Sequence, residues 1–340
     1  MSTVPIVFGS MTFGEEGREQ ARVHDLETCQ KILDIVKKRG SKEIDTARMY
    51  GAGTCEEYLG KLKVTEQGFQ LATKIYPSAR GLMKGGSKLW THSKEDIHEC
   101  LEDSLKALQV DSVDLYYLHA PDRETPFEET FEALNAEYEA GKFKRLGLSN
   151  YRHDEVEQIC ELCKTKGWVV PSVYQGVYNS ITRQAEADLV PVLRKYNMAF
   201  YIFNPLAGGF ATGAYENKDS DAKGKRFDAD RVQGKMYRSR YFQDHYFEAV
   251  ATLKPVAEKH NLTLTEIVLR WLNHHSVLSP EHGDRIDDTR DTSSLIGASS
   301  TAHIEQNLVD LEKGPLDPEV VAALDKAWEI VKPHTFNYYH

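Results

Sequence analysis

Two kinds of hydrophobic pattern alternate along the chain. Short apolar runs predict β-strands, and longer stretches with apolar residues every three or four positions predict amphipathic helices. Residues 126–140 and 263–274 have the helical spacing, and so does the stretch after Ser93, which carries Glu95 and Asp96 in its first turn. The predicted strands are residues 6–11, 43–47, 69–74, 113–119, 145–150, 172–179, 199–204 and 294–299.

The alternation of strands and helices favours a parallel sheet with right-handed crossovers. Eight such units in 340 residues indicate an α/β protein with a closed (β/α)8 TIM barrel and long loops at its C-terminal mouth. The alternative is an open doubly wound sheet. Its usual G-x-G-x-x-G turn is absent after the first strand, where the chain reads GSMTFG from Gly9 to Gly14. We therefore expect one barrel domain spanning residues 1–340.

Composition narrows the class of protein. A net charge of −10, without a dense Lys/Arg block, argues against a nucleic-acid partner. The first residues lack the pattern of a signal peptide, and no apolar stretch is long enough to cross a membrane. The five cysteines are scattered, and Cys160 and Cys163 lie in a predicted helix without a second ligand pair, so we predict reduced thiols and no metal site. These features predict a cytoplasmic enzyme or binding protein.

Two long segments between the predicted elements are irregular. Residues 207–241 follow the seventh strand and are rich in Gly, Lys and Arg, whereas the charged residues 279–292 precede the eighth strand. Function in barrels accumulates on the loops at the carboxyl ends of the strands. We therefore expect a functional role for the first segment and interpret the second as a solvated insertion at the opposite end.

Polar residues at the carboxyl ends of barrel strands line one mouth. Asp45 lies at the end of the second predicted strand with Tyr50 shortly after it, Lys74 ends the third, and His119 ends the fourth. A tyrosine hydroxyl, with a pKa of about 10, is a poor acid unless its anion is stabilised. A nearby ammonium held by a carboxylate would lower that pKa, and a neutral histidine can orient a carbonyl oxygen. The set predicts protonation of an oxygen while another group delivers a hydride.

Each of these residues also has a simpler interpretation. Taken alone, Lys74 fits a solvated lysine, Tyr50 a loop aromatic, His119 a core histidine, and Asp45 a turn cap. Their joint occurrence at successive strand ends favours the catalytic interpretation. Covalent catalysis is not indicated, because the sequence has no G-x-S-x-G elbow and no cysteine with an evident base.

These residues lie in motifs that resemble the aldo-keto reductase family: EIDTA at 43–47, MYG at 49–51, ATK at 72–74, DLYYLH at 114–119, GLSN at 147–150, and residues 175–179. The order and spacing match over essentially the whole chain. The resemblance implies a catalytic tetrad with Tyr50 as the general acid, formed by Asp45, Tyr50, Lys74 and His119. It also implies a nicotinamide across the barrel mouth, with its carboxamide hydrogen-bonded by Ser149, Asn150 and Gln175.

The second half is similar to one branch of that family, the aflatoxin-aldehyde reductases, at NPLAGG (204–209), YRSRYF (237–242) and residues 299–307. By this likeness the 204–213 loop wraps the pyrophosphate, and Arg226 with residues of 299–307 holds the adenosine end and its 2′-phosphate, which favours NADPH over NADH. The further cofactor residues that the likeness implies are Met11, Phe203, Asn204, Pro205, Leu206, Gly208, Gly209, Arg226, Ser299, His303, Gln306 and Asn307. A homodimer is suggested by this branch alone.

The same likeness places four residues beside a small-molecule carbonyl substrate: His119, Tyr237, Arg240 and His340. Two departures from the branch matter. His303 stands where a Gln is common, and the chain ends in FNYYH where the branch ends in an Arg that helps bind a substrate carboxylate. A neutral histidine is a weaker partner for an anion, so the sequence does not favour acidic semialdehydes.

The leading hypothesis is NADPH-dependent reduction of aldehydes or ketones by hydride transfer. The alternative is a cofactor-binding sensor subunit with little turnover, since channel-associated β subunits resemble this family and keep the tetrad. A barrel hydrolase or lyase would need paired acids or a metal-ligand set at the mouth, and the sequence does not supply either.

Overall fold

The computed structural model describes residues 4–79, 88–279, 293–297 and 299–340. Its parallel strands are β1 (Ile6–Gly9), β2 (Glu43–Asp45), β3 (Gln70–Ile75), β4 (Val113–Leu118), β5 (Phe143–Ser149), β6 (Val173–Val177), β7 (Ala199–Phe203) and β8 (Ser293–Ile296). Each pairs with the next, and β8 pairs with β1 to close the barrel. The predicted barrel is confirmed. The observed strand ends differ from the predicted ones by three residues or fewer.

Helices cover the outside of the barrel. They are α1 (Leu26–Lys38), α2 (Thr54–Lys61), α3 (Lys94–Leu108), α4 (Phe127–Glu139), α5 (His153–Lys166), α6 (Ala185–Lys195), α7 (Val232–Tyr241), α8 (Asp244–Lys259), α9 (Leu264–His274), α10 (Thr301–Leu311) and α11 (Pro318–Val331). Ser93 caps α3 as predicted, because its side chain accepts a hydrogen bond from the Asp96 amide. In the described part of the chain, no helix is both long and apolar enough to cross a membrane.

The hydrophobic core has two parts. A large cluster packs between the strands and the surrounding helices, and a smaller one fills the barrel interior. Near the amino ends of the strands, the interior also holds an ion cluster in which Arg145 bonds to Glu43, Asp114 and the Tyr201 hydroxyl. Packed side chains therefore fill the barrel beneath its mouth, which leaves the mouth as the place for a site.

The segment after β7 is more ordered than the sequence indicated. Residues Ala207–Thr212 form a short 3-10 helix, and α7 occupies the end of the segment. Aromatic contacts hold the segment together, for example Phe210 against Phe247 and Phe227 against Phe242, with ring centroids 5.0 and 4.8 Å apart. The alternation of helical apolar positions is weak there, so the sequence pattern did not reveal α7. Of the charged insertion 279–292, only Ser279 lies within the described residues.

Cys160 and Cys163 both lie buried in α5, as expected for cysteines on a helix face. Burial raises the pKa of each thiol to about 12, so neither is a reactive thiolate at neutral pH.

Candidate active site

A tightly turned loop after β2 presents Tyr50 at the mouth. The short 3-10 helix Tyr50–Gly53 contains left-handed backbone at Gly51, Ala52 and Gly53, where φ is 55°, 56° and 99°. Glycine is favoured at Gly53 by its left-handed backbone, and a Cβ there would displace the Arg48 guanidinium, which would lie 1.8 Å away. This loop fixes the position of the Tyr50 side chain.

A buried ion pair braces the same loop from behind. Arg48 Nη1 lies 2.6 Å from Glu56 Oε2, and the Thr73 hydroxyl donates to Glu56 Oε1 at 2.6 Å. Because Thr73 immediately precedes Lys74 on β3, this pair joins the Tyr50 loop, α2 and the strand that carries Lys74. Sequence reasoning missed Arg48 and Glu56, whose only signal was their position around the MYG motif.

Asp45 and Lys74 form the charged centre of the site. Lys74 Nζ donates to Asp45 Oδ2 at 2.6 Å and to the Thr46 carbonyl at 2.7 Å, and both side chains are almost completely buried. The other carboxylate oxygen, Asp45 Oδ1, accepts from Gln175 Nε2 at 2.7 Å. The ammonium is therefore held in one place, and both oxygens of its partner are satisfied.

Tyr50 and His119 complete the set that the sequence predicted to converge. Lys74 Nζ lies 5.2 Å from the centre of the Tyr50 ring, and the Tyr50 and His119 ring centroids are 5.7 Å apart in an edge-to-face arrangement. Tyr76 contacts His119 in the same manner, also at 5.7 Å. The Tyr50 hydroxyl has no hydrogen-bond partner among the described residues. That hydroxyl is thus available to a molecule bound at the mouth.

The electrostatics of these groups differ in one respect from the sequence expectation. Burial lowers the pKa of His119 well below its usual value, and the Lys74 ammonium lowers it further, so the ring is neutral. Burial also raises the pKa of Tyr50 well above 10, and the Asp45 carboxylate raises it further. The net shift of the Tyr50 pKa is therefore upward, because burial and the Asp45 carboxylate both disfavour the phenolate, and the stabilising effect expected from Lys74 stays a prediction. Tyr50 remains protonated at neutral pH, as a proton donor requires.

The residues implied for a nicotinamide carboxamide lie next to the Asp45–Lys74 pair. Ser149 ends β5, Gln175 lies within β6, and Asn150 has left-handed backbone with φ of 63°. The Asn150 amide donates to the His119 carbonyl at 2.8 Å and to Ser149 Oγ at 3.0 Å. Their convergence is observed, while their role in holding a cofactor stays a prediction.

The loop after β7 forms a glycine turn against Tyr237. Gly208 and Gly209 have φ of 71° and 97°, and a Cβ on Gly208 would lie 2.4 Å from the Tyr237 ring. The Tyr237 hydroxyl donates to Asn204 Oδ1 at 2.9 Å and accepts from Arg226 at 3.3 Å. These contacts tie Tyr237 to the predicted cofactor loop, and its contact with a substrate stays a prediction. Phe203 ends β7, and Pro205 and Leu206 lie between it and the turn.

The residues implied for the adenosine end lie at the start of α10. Ser299 Oγ lies 3.3 Å from His303 Nδ1, and Ser300 caps the helix. His303 and Gln306 are exposed, whereas Asn307 is buried. The structure thus brings this group together on one helix beside β8.

Arg22 is a candidate site residue that the sequence reasoning missed. It lies in the loop after β1, where its guanidinium donates to Gln233 Oε1 of α7 at 3.1 Å, and the Gln233 amide in turn contacts Met11 Sδ at 3.8 Å. Burial and the neighbouring Arg226 lower the pKa of Arg22 to about 10. Among the described residues, neither arginine has a carboxylate partner. Arg22 meets Gln233 across 211 residues of sequence, so no local motif could have indicated this contact.

These features fit a cofactor that carries phosphates. Two unpaired guanidiniums attract an anion, and they lie beside a glycine turn whose missing Cβ leaves room for close approach. The Gly208 turn, Arg226 and Arg22 are the residues that would hold such a group.

The carboxyl end of the chain borders the mouth. The His340 amide donates to the Asn150 carbonyl at 3.1 Å, and Arg123 donates to the His340 carbonyl at 2.6 Å. Desolvation by the surrounding protein, followed by the Arg240 and Arg123 charges, lowers the pKa of His340 to about 4. Arg240 lies 5.4 Å from the Phe336 ring and has no ion-pair partner in the described part of the chain. The His340 ring is therefore neutral at physiological pH, as the sequence analysis assumed.

A closed parallel barrel with a buried Asp–Lys pair, a free tyrosine hydroxyl and a neutral histidine at its mouth defines a barrel enzyme equipped for proton transfer. The model of the Aldo/keto reductase family matches residues 5–329, and the chain belongs to that family.

Several characterised relatives are similar over most of their length. An aldo-keto reductase of Pseudocercospora fijiensis is 43% identical over 91% of this chain and 100% of its own. Aldo-keto reductase family 7 member A3 of Homo sapiens is 41% identical over 94% and 95% of the two chains. Aflatoxin B1 aldehyde reductase member 2 of Homo sapiens is 42% identical over 94% and 87%. The chain is thus an oxidoreductase of a family that reduces small carbonyl compounds with nicotinamide cofactors, and the predicted family is confirmed.

Proposed function

We propose that this protein reduces aldehydes or ketones to alcohols with NADPH, and that Tyr50 is the general acid. The observation that carries the proposal is the unpartnered, protonated Tyr50 hydroxyl beside the buried Asp45–Lys74 pair and the neutral His119 ring. A hydroxyl without a protein partner at the barrel mouth is free to bond to a carbonyl oxygen. The same side chain would be badly placed as a mere packing group, because its polar end would lack a partner.

The side chains divide the work of protonating the oxygen. NADPH, when bound, supplies the hydride for the carbonyl carbon. Tyr50 donates a proton to the carbonyl oxygen, and the Lys74 ammonium stabilises the phenolate that this leaves. Asp45 keeps Lys74 charged and fixed, and the neutral His119 ring orients the carbonyl oxygen next to the Tyr50 hydroxyl. General acid catalysis of this kind contributes about 10²- to 10⁴-fold.

The proposal for NADPH over NADH is supported by the unpaired arginines. Arg226 and Arg22 offer two guanidiniums without acidic partners, and guanidiniums suit phosphate oxygens. NADPH carries one phosphate more than NADH. The glycine turn at Gly208 would let the backbone approach the pyrophosphate, and by the resemblance Ser149 and Asn150 would bond to the carboxamide.

The proposed substrates are small aldehydes, because several relatives are named aflatoxin B1 aldehyde reductases. The substrate side of the mouth would be bordered by His119, Arg240 and His340. Because the His340 ring is neutral, it offers no charge to a substrate carboxylate. We therefore expect uncharged aldehydes to be reduced at least as well as acidic semialdehydes.

The test is loss of NADPH absorbance with a panel of aldehydes, ketones and semialdehydes, with NADH in parallel. Tyr50→Phe should lower kcat by about 10²- to 10⁴-fold and leave the Kd for NADPH within about twofold, since only the proton donor is removed. Tyr76→Phe is the matched control, because its ring contacts the same histidine, and it should lose far less. Unchanged turnover in Tyr50→Phe contradicts the mechanism. Tight NADPH binding without turnover of any carbonyl compound would instead favour a sensor role.

A further inference from the structure

The Lys74 ammonium sits in an environment that opposes its charge. Its side chain is fully buried, and burial lowers the pKa of Lys74 while the Asp45 carboxylate opposes that effect. Apart from Asp45, its only hydrogen-bond partner in the described chain is the Thr46 carbonyl at 2.7 Å. An ammonium has three donors, so one N–H is left without a conventional acceptor.

A second aromatic ring lies against this ammonium. Tyr117 of β4 pairs in register with Lys74 of β3, and Lys74 Nζ lies 5.5 Å from the centre of the Tyr117 ring. The next strand makes room for the ring, because Tyr117 pairs with Gly147, where a Cβ would lie 2.3 Å from Tyr117 Cδ1. The Tyr117 ring is fully buried, and its hydroxyl has no hydrogen-bond partner among the residues that the structure describes.

We propose that Tyr117 is a positioning residue of the reaction. The face of its ring binds the Lys74 ammonium and keeps it charged beneath Tyr50, an inference that rests on the proposed function. A cation within about 6 Å of an aromatic centroid is attracted by the electron-rich ring face, and the attraction is strongest where water is excluded. Burying an uncharged ring costs far less than burying a second carboxylate. The ring therefore stabilises the ammonium without adding an anion that would raise the pKa of Tyr50 further.

The Tyr117 hydroxyl does not explain why this side chain occupies its position. A buried hydroxyl without a partner is unfavourable, so hydrogen bonding does not account for a tyrosine here. Filling the space over Gly147 requires a large flat group, and the ring face toward Lys74 is the part of Tyr117 with a polar contact. The ring, rather than the hydroxyl, is therefore the functional part.

The alkaline limb of carbonyl reduction should report the charge on Lys74. Burial lowers the pKa of Lys74 and raises that of Tyr50, so Lys74 is the first of the two to lose its proton as the pH rises. The titratable groups that face Lys74 from the surrounding elements are Asp45, Tyr50, Cys55, Glu56, Tyr117 and His119. Unlike Tyr50, Tyr117 is not assigned to proton transfer, so the electron density of its ring can be altered without removing a proposed proton donor or changing the net charge.

The experiment replaces Tyr117 with phenylalanine and then with mono-, di- and trifluorinated phenylalanines. Fluorine withdraws electrons from the ring face while keeping its size, so these variants should fold alike. We expect the alkaline limb of kcat for NADPH-dependent reduction to move to lower pH with each fluorine, by about half to one pH unit over the series. The same series at Tyr116 is the matched control, because Tyr116 is equally buried on β4 and packs outward against Phe143.

A second measurement follows Lys74 without turnover. The 13Cε signal of Lys74 in 13C-lysine-labelled protein, assigned by its loss in Lys74→Met, should titrate at progressively lower pH through the fluorinated series. If neither the alkaline limb of kcat nor the Lys74 13Cε titration moves as fluorines are added, the proposed role of Tyr117 is overturned. This holds even if the enzyme reduces carbonyl compounds. If the Lys74 titration moves but the protein reduces no carbonyl compound, the contact between the Tyr117 ring and the ammonium stands. Its part in the reaction is then overturned, and the proposed function is rejected separately.

Discussion

Replacement of Asp45 by alanine tests whether Lys74 is held as a buried charge. The substitution removes the carboxylate 2.6 Å from Lys74 Nζ and leaves the ammonium with the Thr46 carbonyl at 2.7 Å and two rings. Breaking a buried ion pair by removing one partner costs about 3–5 kcal/mol. Because those contacts remain, we expect a loss near the lower end, about 3 kcal/mol in the free energy of unfolding at pH 7.

The pH dependence of this loss has a definite sign. In Asp45→Ala the buried ammonium has no anion, so the pKa of Lys74 in the folded protein falls further below its ordinary value of 10.5. The unfolded chain then binds more protons than the folded one between those two pKa values, and stability rises with pH in that window. The difference from the unsubstituted protein should therefore shrink between pH 7 and pH 9.

Urea unfolding followed by tryptophan fluorescence at both pH values is the assay, with Asp45→Asn as the uncharged isostere. Lys74→Met in the Asp45→Ala background should recover at least about 1 kcal/mol, because it removes the unpaired charge. A double variant no more stable than Asp45→Ala, or a loss that does not change with pH, would refute the buried-charge argument.

Three further perturbations address the cofactor and substrate sides. Arg22→Gln should raise the Kd for NADPH about 10- to 100-fold, as measured by fluorescence titration. This change corresponds to the free energy of one charge-assisted hydrogen bond. Gly208→Ala should also weaken NADPH binding, because its Cβ would lie 2.4 Å from the Tyr237 ring and force the turn apart. His340→Arg should raise kcat/KM for aldehydes that carry a carboxylate by about tenfold. In the unsubstituted protein, the same parameter should show no titration near pH 6.5, since the pKa of His340 is lowered to about 4.

Each of these has a control in the same chain. Arg18 lies in the same loop as Arg22 but is exposed and paired with Glu15, so Arg18→Gln should leave the Kd unchanged. Gly224 has the same φ of 71° as Gly208 with nothing near its missing Cβ, so Gly224→Ala isolates backbone strain from the clash. An uncharged aldehyde should gain nothing from His340→Arg. Equal effects in a variant and its control would contradict the corresponding assignment.

The barrel was predictable because its signal is local. Each strand is a short apolar run, and each flanking helix repeats its apolar positions at helical spacing. The order of elements could therefore be deduced without knowing the tertiary contacts. Asp45, Lys74 and His119 could be assigned to one mouth for the same reason: parallel strands in a barrel end on the same side. The helix α7 escaped prediction because aromatic contacts, such as those of Tyr237 with Phe227 and of Tyr241 with Phe336, rather than an amphipathic face, hold it in place.

The candidate site was only partly predictable, because its electrostatics depend on burial and on partners distant in sequence. Residue types indicated a lysine beside Tyr50 that would lower its pKa, but burial and the Asp45 carboxylate raise the net pKa of Tyr50. Gln175 was assigned to a cofactor from its motif, which stays a prediction, and the structure shows that its side-chain amide donates to Asp45.

The sequence by itself determined the barrel, the order of its elements and the side chains at the strand ends that line the mouth. Hydrophobic periodicity and strand ends depend on residues that are adjacent in sequence. Tertiary structure alone decided which groups meet there. Arg22 meets Gln233 only because the loop after β1 packs against α7, which is remote in sequence, and Tyr117 faces Lys74 only because adjacent strands pair in that register. Charge, burial and ring contacts act through space, so a linear pattern of residues could not specify them.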